Sequence, residues 1–298
     1  MTTTVIACKP RGLPLARAVL TLLKLRIGVL IMVTALVGLA VTPGARLGLA
    51  QLLVLALSVL LASGSAGAFN HYAEHESDRL MARTRGRPFA TGALPHHPAW
   101  LAAMALLLAG SVGAAWVLLN AAAALYVFLG AFFYGVVYTL WLKRRTPWNI
   151  VIGGLAGSFA VLAGAAAADP MPGAQAWLLA LVLFLWTPPH FWSLAIANRS
   201  DYSQAGIPML PVVVGEVRAA RIVFASTVAL VIASLLPLAF GAGWIYGVGA
   251  AAGGAWFLKQ TWRLARRPSR PTAMGAFFAS LVQLSAVLLA ATADAFLR

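Results

Sequence analysis

The sequence predicts an all-α integral membrane protein, a bundle of about nine transmembrane helices with a cytoplasmic N-terminus. Three observations lead there. Hydrophobic residues make up 61% of the chain and charged residues 10%, with a mean hydropathy of +0.87; soluble domains carry about 25% charged residues. Several apolar runs reach the ~20 residues that a helix needs to cross a bilayer. Backbone groups in lipid must bond within the chain, and these uniformly apolar runs lack the alternation of a barrel, which leaves helices. Third, Lys and Arg fall almost entirely on one side once nine spans are drawn.

The spans follow in order. Residues 1–19 read as a flexible cytoplasmic leader, and the first span is expected near 24–43. It has a basic start but no short apolar run ending at a small-residue cleavage site, so it is not a cleaved signal peptide. The second run, 49–69, stops at the polar segment that begins with Asn70. The third and fourth, 98–119 and 121–141, are parted only by Asn120, which demands a tight turn. The fifth, 149–168, carries Gly153, Gly154 and Gly157, small residues that let helices approach closely. The sixth, 175–197, holds Pro188 and Pro189, which remove backbone donors and are expected to kink the helix beside a cavity. Spans at 219–240, 242–260 and 273–295 complete a single domain over 1–298. The ten tryptophans read mostly as interfacial anchors.

With these spans one side of the membrane receives 20 of the 22 Lys and Arg residues, and the other only Arg46 and Arg298. That asymmetry places the N-terminus in the cytoplasm. The formal charge of +15 is therefore topological, suited to anionic headgroups, and no nucleic-acid partner is expected. Cys8 is the only cysteine, which excludes an intrachain disulfide and a thiolate metal site.

Only seven acids occur in the chain, and Glu74, Glu76 and Asp78 crowd into one segment after the second span. Asn70, Glu74 and Asp78 stand at i, i+4 and i+8, drifting only ~40° per step, so the spacing predicts one helical face. Hard oxygen ligands of this kind suit Mg²⁺, which is usually held by one or two carboxylates together with substrate phosphates. Glu76 is expected to face water. Arg83, Arg85 and Arg87 follow, with Gly86 and Pro88 marking a turn. Arginine forks match phosphate oxygens, so acids beside arginines read as a metal-bridged diphosphate site. Asp201, in a second polar segment, is a candidate to complete the cation site from the other half of the bundle. His190 is open to three readings: a proton carrier, a haem contact, or a hydrogen bonder at the proline kink.

Four stretches carry a family resemblance. The pattern Asn70-x3-Glu74-x3-Asp78, then Met81-x-Arg83-Thr84-x2-Arg87-Pro88, resembles the first acidic motif of UbiA-type intramembrane prenyltransferases. Trp186-Thr187-Pro188-Pro189-His190-Phe191-Trp192, Asp201-Tyr202-x2-Ala205 through Pro211, and Tyr138-Thr139 through Lys143 to Gly154 are similar to the protoheme IX farnesyltransferase (haem o synthase) branch. The resemblance covers roughly residues 20–290.

What it implies is a nine-helix bundle around a central cavity, in a bacterial inner membrane, with the active site at the cytoplasmic face. Farnesyl diphosphate would bind through Mg²⁺ held by Asn70, Glu74, Asp78 and Asp201, while Arg83, Arg87 and Lys143 offset phosphate charge. Asp78, Asp201, Arg83 and His190 are the implied catalytic residues, and Tyr202 a substrate-binding one. Haem b would be the second substrate rather than a cofactor, giving haem o for haem-copper oxidases, and a haem a synthase is the implied partner. The chain departs from the family in having Glu74 where Asp is usual, Leu25 where Pro is usual, and Ser158-Phe159-Ala160-Val161 in place of a Pro-rich stretch. Two rival readings remain: prenylation of an aromatic or quinone precursor, and transport of haem or another anion. Polar groups clustered on one side disfavour a transporter, which needs a path to both faces.

Overall fold

The computed structural model describes residues 15–297, so Cys8 and most of the expected flexible leader lie outside the described residues. Residues 15–19 of that leader instead open a helix, α1 (Leu15–Leu22), which meets α2 (Leu25–Ala40) at a 42° bend. The long α3 (Leu49–Ala73) ends in the short α4 (His75–Arg79), and α5 (Pro88–Thr91) follows the arginine turn. Next come α6 (Ala99–Leu118) and α7 (Ala121–Phe132), joined at Asn120, whose side chain accepts a 2.9 Å bond from the Ala123 amide and caps α7. The chain then passes without a break into a π-helix, Phe133–Leu142. After it stand α8 (Asn149–Gly153), α9 (Leu155–Ala168) and α10 (Ala174–Ala197). The second polar segment forms α11 (Arg199–Gln204) and α12 (Leu210–Val214). The chain closes with α13 (Glu216–Leu235), a 3-10 turn (Leu236–Phe240), α14 (Trp244–Arg266) and α15 (Arg270–Leu297).

Every expected span coincides with helix, but the count of crossings differs. Among the described residues, seven helical rods are long and apolar enough to cross a membrane, or eight if the bent pair α1–α2 is one span. The shortfall from nine lies in α14, which is long enough but is diluted by Gly253, Gly254, Gln260 and the basic Lys259, Arg263 and Arg266. Pro188 and Pro189 lie inside α10, which continues through them to Ala197, and both rings are buried.

The helices form a ring in which sequence neighbours pack side by side, and α15 closes it by touching both α10 and α2. Two apolar clusters fill it. One joins Ala35, Leu55, Val59, Ala123 and Val127 of the first half; the other joins Leu183, Trp192, Val223, Phe257 and Val287 of the second. The helix α9 serves both, with Val161 and Leu162 in one cluster and Ala163, Ala166 and Ala167 in the other. Its approach to α2 is a backbone-on-backbone contact. A Cβ on Gly164 would collide with the carbonyl of Ala35, and one on Gly38 with the carbonyl of Val161. Outward faces keep large apolar side chains such as Leu106, Val117, Leu125, Val282 and Leu289, as lipid contact requires. Trp186 and Trp192 are exceptions to the anchor expectation. Trp186 donates to the Ser280 carbonyl at 2.8 Å, and Trp192 is buried in the core.

Candidate active site

The acidic segment does lie on one face, though not on one uninterrupted helix. The helix α3 ends at Ala73, and Glu74 sits at the break with φ −104° and ψ 8°. Two backbone bonds bridge it, Glu74 N–H to Asn70 O at 3.1 Å and Asp78 N–H to Glu74 O at 2.8 Å. They preserve the i, i+4 stacking, so Asn70, Glu74 and Asp78 all turn inward and are buried while Glu76 is exposed.

Each buried polar group in this ladder has a partner. Lys143 Nζ lies 2.5 Å from the Glu74 carboxylate. Arg87 Nη1 reaches both oxygens of Asp78, at 2.9 and 2.8 Å. Asn70 donates from Nδ2 to Glu74 at 2.8 Å and to Thr139 Oγ1 at 3.1 Å, and its Oδ1 accepts from Lys24 Nζ at 2.7 Å. Because an ammonium only donates and a carboxylate only accepts, this network fixes which way the Asn70 amide faces. Lys24 also bonds the Tyr134 hydroxyl at 3.0 Å. The result is one continuous chain, Tyr134–Lys24–Asn70–Glu74–Lys143, with the Asp78–Arg87 pair beside it. Three cations face two carboxylates, an excess of positive charge suited to a polyanion. Burial pushes the Lys143 ammonium below its ordinary value, and Glu74 pulls it back up.

Local backbone chemistry places the cations. The residue before a proline is driven to extended backbone, and Arg87 has φ −69° and ψ 147° ahead of Pro88, which opens α5. Lys143 is placed by the π-helix. With i→i+5 bonding, residues four and five apart stand above one another. Tyr134, Tyr138, Thr139 and Lys143 thereby share the face towards Asn70 and Glu74. On an α-helix, at about 100° per residue, Lys143 would point ~180° away from Tyr134.

The other sequence candidates are distributed as follows. Arg83 is exposed and makes no ion pair among the described residues. Tyr202 is buried in an apolar cluster with Met81, Ile207 and Met209, and this cluster joins the two polar segments. Asp201 is half-buried on α11 and pairs with no cation among the described residues. His190 is not drawn into the acidic ladder. Its Nδ1 lies 2.6 Å from Ser280 Oγ on α15, and its ring stacks between Trp186 and Phe277 at centroid distances of 4.1 and 4.6 Å. The Ser280 hydroxyl also lies 2.6 Å from the Phe277 carbonyl, and the imidazole ties α10 to α15. Through Nδ1 the residue is a hydrogen bonder between the two helices, while Nε2 has no hydrogen-bond partner among the described residues.

Sequence reasoning missed Lys24, Tyr134 and Thr139. A lysine before an apolar run is indistinguishable from a topological charge, and Tyr134 sits inside a span with nothing to mark its direction. His71, next to Asn70 and buried, keeps an Nδ1 with no hydrogen-bond partner among the described residues.

As a donor set, two carboxylates and a carboxamide oxygen, with Asp201 on the adjoining segment, have the hard-oxygen chemistry of Mg²⁺. No group of three or more His, Cys, Asp and Glu is gathered among the described residues. The ladder oxygens face cations instead.

Comparison with known proteins gives a match to the UbiA prenyltransferase family over residues 31–282. The chain belongs to that family. Among curated UbiA relatives, it is 57% identical over 267 residues to protoheme IX farnesyltransferase 2 of Paramagnetospirillum magneticum (strain ATCC 700264 / AMB-1), covering 90% of this chain and 93% of the relative. It is 47% identical to protoheme IX farnesyltransferase 1 of the same organism, over 93% and 98% of the two chains. The fold is shared with a solved structure from work on digeranylgeranylglyceryl phosphate synthase, at a TM-score of 0.78 and 19% identity over 95% of this chain and 99% of the other. It is likewise shared with a UbiA homologue from Archaeoglobus fulgidus bound to DMAPP and Mg²⁺, at a TM-score of 0.72 and 17% identity over 91% and 99%. The protein is thus an integral membrane prenyltransferase of the UbiA fold.

Proposed function

We propose that this enzyme transfers the farnesyl group of farnesyl diphosphate to the 2-vinyl group of haem b, with addition of water, giving haem o and diphosphate. The substrates follow the shared name of its curated relatives. The observation that carries the chemistry is the inward ladder Asn70–Glu74–Asp78, set among Lys143, Arg87 and Lys24 at one end of the bundle. In the reaction the allylic C–O bond breaks, and the electron pair leaves with diphosphate. The vinyl terminus bonds to the farnesyl carbon, and water adds to the resulting cation with loss of a proton.

Asn70, Glu74, Asp78 and Asp201 are the residues that would hold Mg²⁺, which supplies neutralising charge to the leaving diphosphate. Arg87 and Lys143, now on the carboxylates, are within reach to exchange them for phosphate oxygens. Exposed Arg83 is free to join them at the mouth. Positive charge fixed in place before the bond breaks lowers the barrier, because nothing has to reorganise as the anion forms. The apolar interior keeps most water from the allylic cation. The site would open to the cytoplasmic face of a bacterial inner membrane, where a haem a synthase is the natural recipient of the product.

Haem extraction from cells that lack haem o but express this chain tests the reading. The expected result is a new haem heavier than haem b by one farnesyl group and one hydroxyl. Membranes that leave haem b unchanged while prenylating 4-hydroxybenzoate would place the protein with the aromatic-acid enzymes instead.

A further inference from the structure

We infer that Lys24 is an anion-binding residue of the substrate site, its ammonium offered to an anionic oxygen, phosphate or carboxylate, on a substrate. The inference rests on the prenyl-transfer reading above and adds a group that the sequence motifs leave out. Lys24 enters the polar chain from the opposite side to Lys143, bonding Asn70 Oδ1 at 2.7 Å and Tyr134 OH at 3.0 Å. Both partners are uncharged, and no carboxylate lies within ion-pair distance of Lys24 among the described residues. Two of its three donor hydrogens are thus used, and its charge is balanced by no direct contact. The residue is half-buried, its ammonium set within the polar chain between Asn70 and Tyr134.

The backbone is also set up to send this side chain inward. Lys24 has φ 47° and ψ 43°, the only left-handed non-glycine among the described residues. For an L-residue that conformation is strained, and it persists only where the surroundings enforce it. It turns the chain between α1 and α2, so the lysine stem runs across α3. There Gly67 makes room: a Cβ on it would stand 3.3 Å from Lys24 Cδ. A topological lysine at a helix end would snorkel outward to the interface. This one is bent inward to the residue that also contacts Glu74.

Two anions fit that chemistry, a diphosphate oxygen and a porphyrin propionate. Binding of Mg²⁺-pyrophosphate, haemin and haemin dimethyl ester is measured on the full-length protein in detergent, unaltered and as Lys24→Met. Loss of a charge-assisted bond is expected to weaken one anion about tenfold or more. Weaker pyrophosphate binding alone assigns Lys24 to the diphosphate. Weaker haemin binding with the dimethyl ester unaffected assigns it to a carboxylate. If the unaltered protein binds these ligands and Lys24→Met binds them equally, the inference is overturned while the prenyl-transfer reading stands. An unaltered protein that binds neither sinks both. Should the variant not fold, acetylation of the Lys24 amine in unaltered protein decides: pyrophosphate or haemin should protect it, and equal labelling with and without each would overturn the assignment.

Discussion

Glu74 is the residue on which the site turns. It ends α3, takes the Asn70 amide on one side and holds Lys143 at 2.5 Å on the other, with 3% of its surface exposed. Breaking a buried pair by neutralising one member leaves the other charge stranded, at a cost of about 3–5 kcal/mol. Glu74→Gln is therefore expected to lower the unfolding midpoint in detergent and to abolish farnesyl transfer together. Glu74→Asp restores the usual family residue and keeps the charge, but draws the carboxylate back by one methylene. It should fold normally and retain activity within about tenfold, since a lengthened charge-assisted bond is weakened rather than lost. A Gln variant as stable and active as the parent would show that the Lys143 contact carries no weight. The sequence marks Glu74 as an unusual ligand; the structure adds that it is the counter-charge of a buried lysine.

Element by element, hydropathy made the helices legible, because an apolar run of membrane length has little choice but to bond within itself. It did not show the bonding register. The run 121–141 reads as an α-helix, yet its second half is π-helical, and only that register brings Thr139 and Lys143 round to Asn70 and Glu74. Nor did it show that α10 runs on through Pro188 and Pro189, or that His190 Nδ1 bonds Ser280. Those depend on neighbours far away in sequence. Small residues in the fifth span were legible as close-packing sites, but not which of them matters. Gly164 meets the Ala35 backbone, while Gly157 has open space around it. Gly164→Ala should force α9 from α2 and cost about 1–3 kcal/mol, as overpacking does. Gly157→Ala should leave thermal stability unchanged, and equal midpoints for the two variants would contradict the α2–α9 contact.

At the scale of the molecule, the ring of helices brings two polar segments distant in sequence into contact through a shared apolar cluster. Met81 follows the acidic ladder, Tyr202 lies beside Asp201, and both enter a common apolar cluster with Ile207 and Met209. Closure of the ring by α15 against α2 and α10 holds these halves at fixed separation. The proposed orientation then makes a sharp demand, because the basic loops and the site must share the cytoplasmic face. Arg85, exposed in the arginine turn, and Met171, 84% exposed between α9 and α10, stand on opposite sides in that topology. In a Cys8→Ser background, Met171→Cys should react with a membrane-impermeant maleimide in intact cells whose outer barrier is open. Arg85→Cys should react only after the inner membrane is breached. The reverse pattern would put the diphosphate mouth on the outer side, away from any cytosolic supply of prenyl donor. Equal labelling of both in intact cells would mean that an odd number of crossings does not separate them, and the discrepancy would point to α9, the helix that both halves of the bundle share.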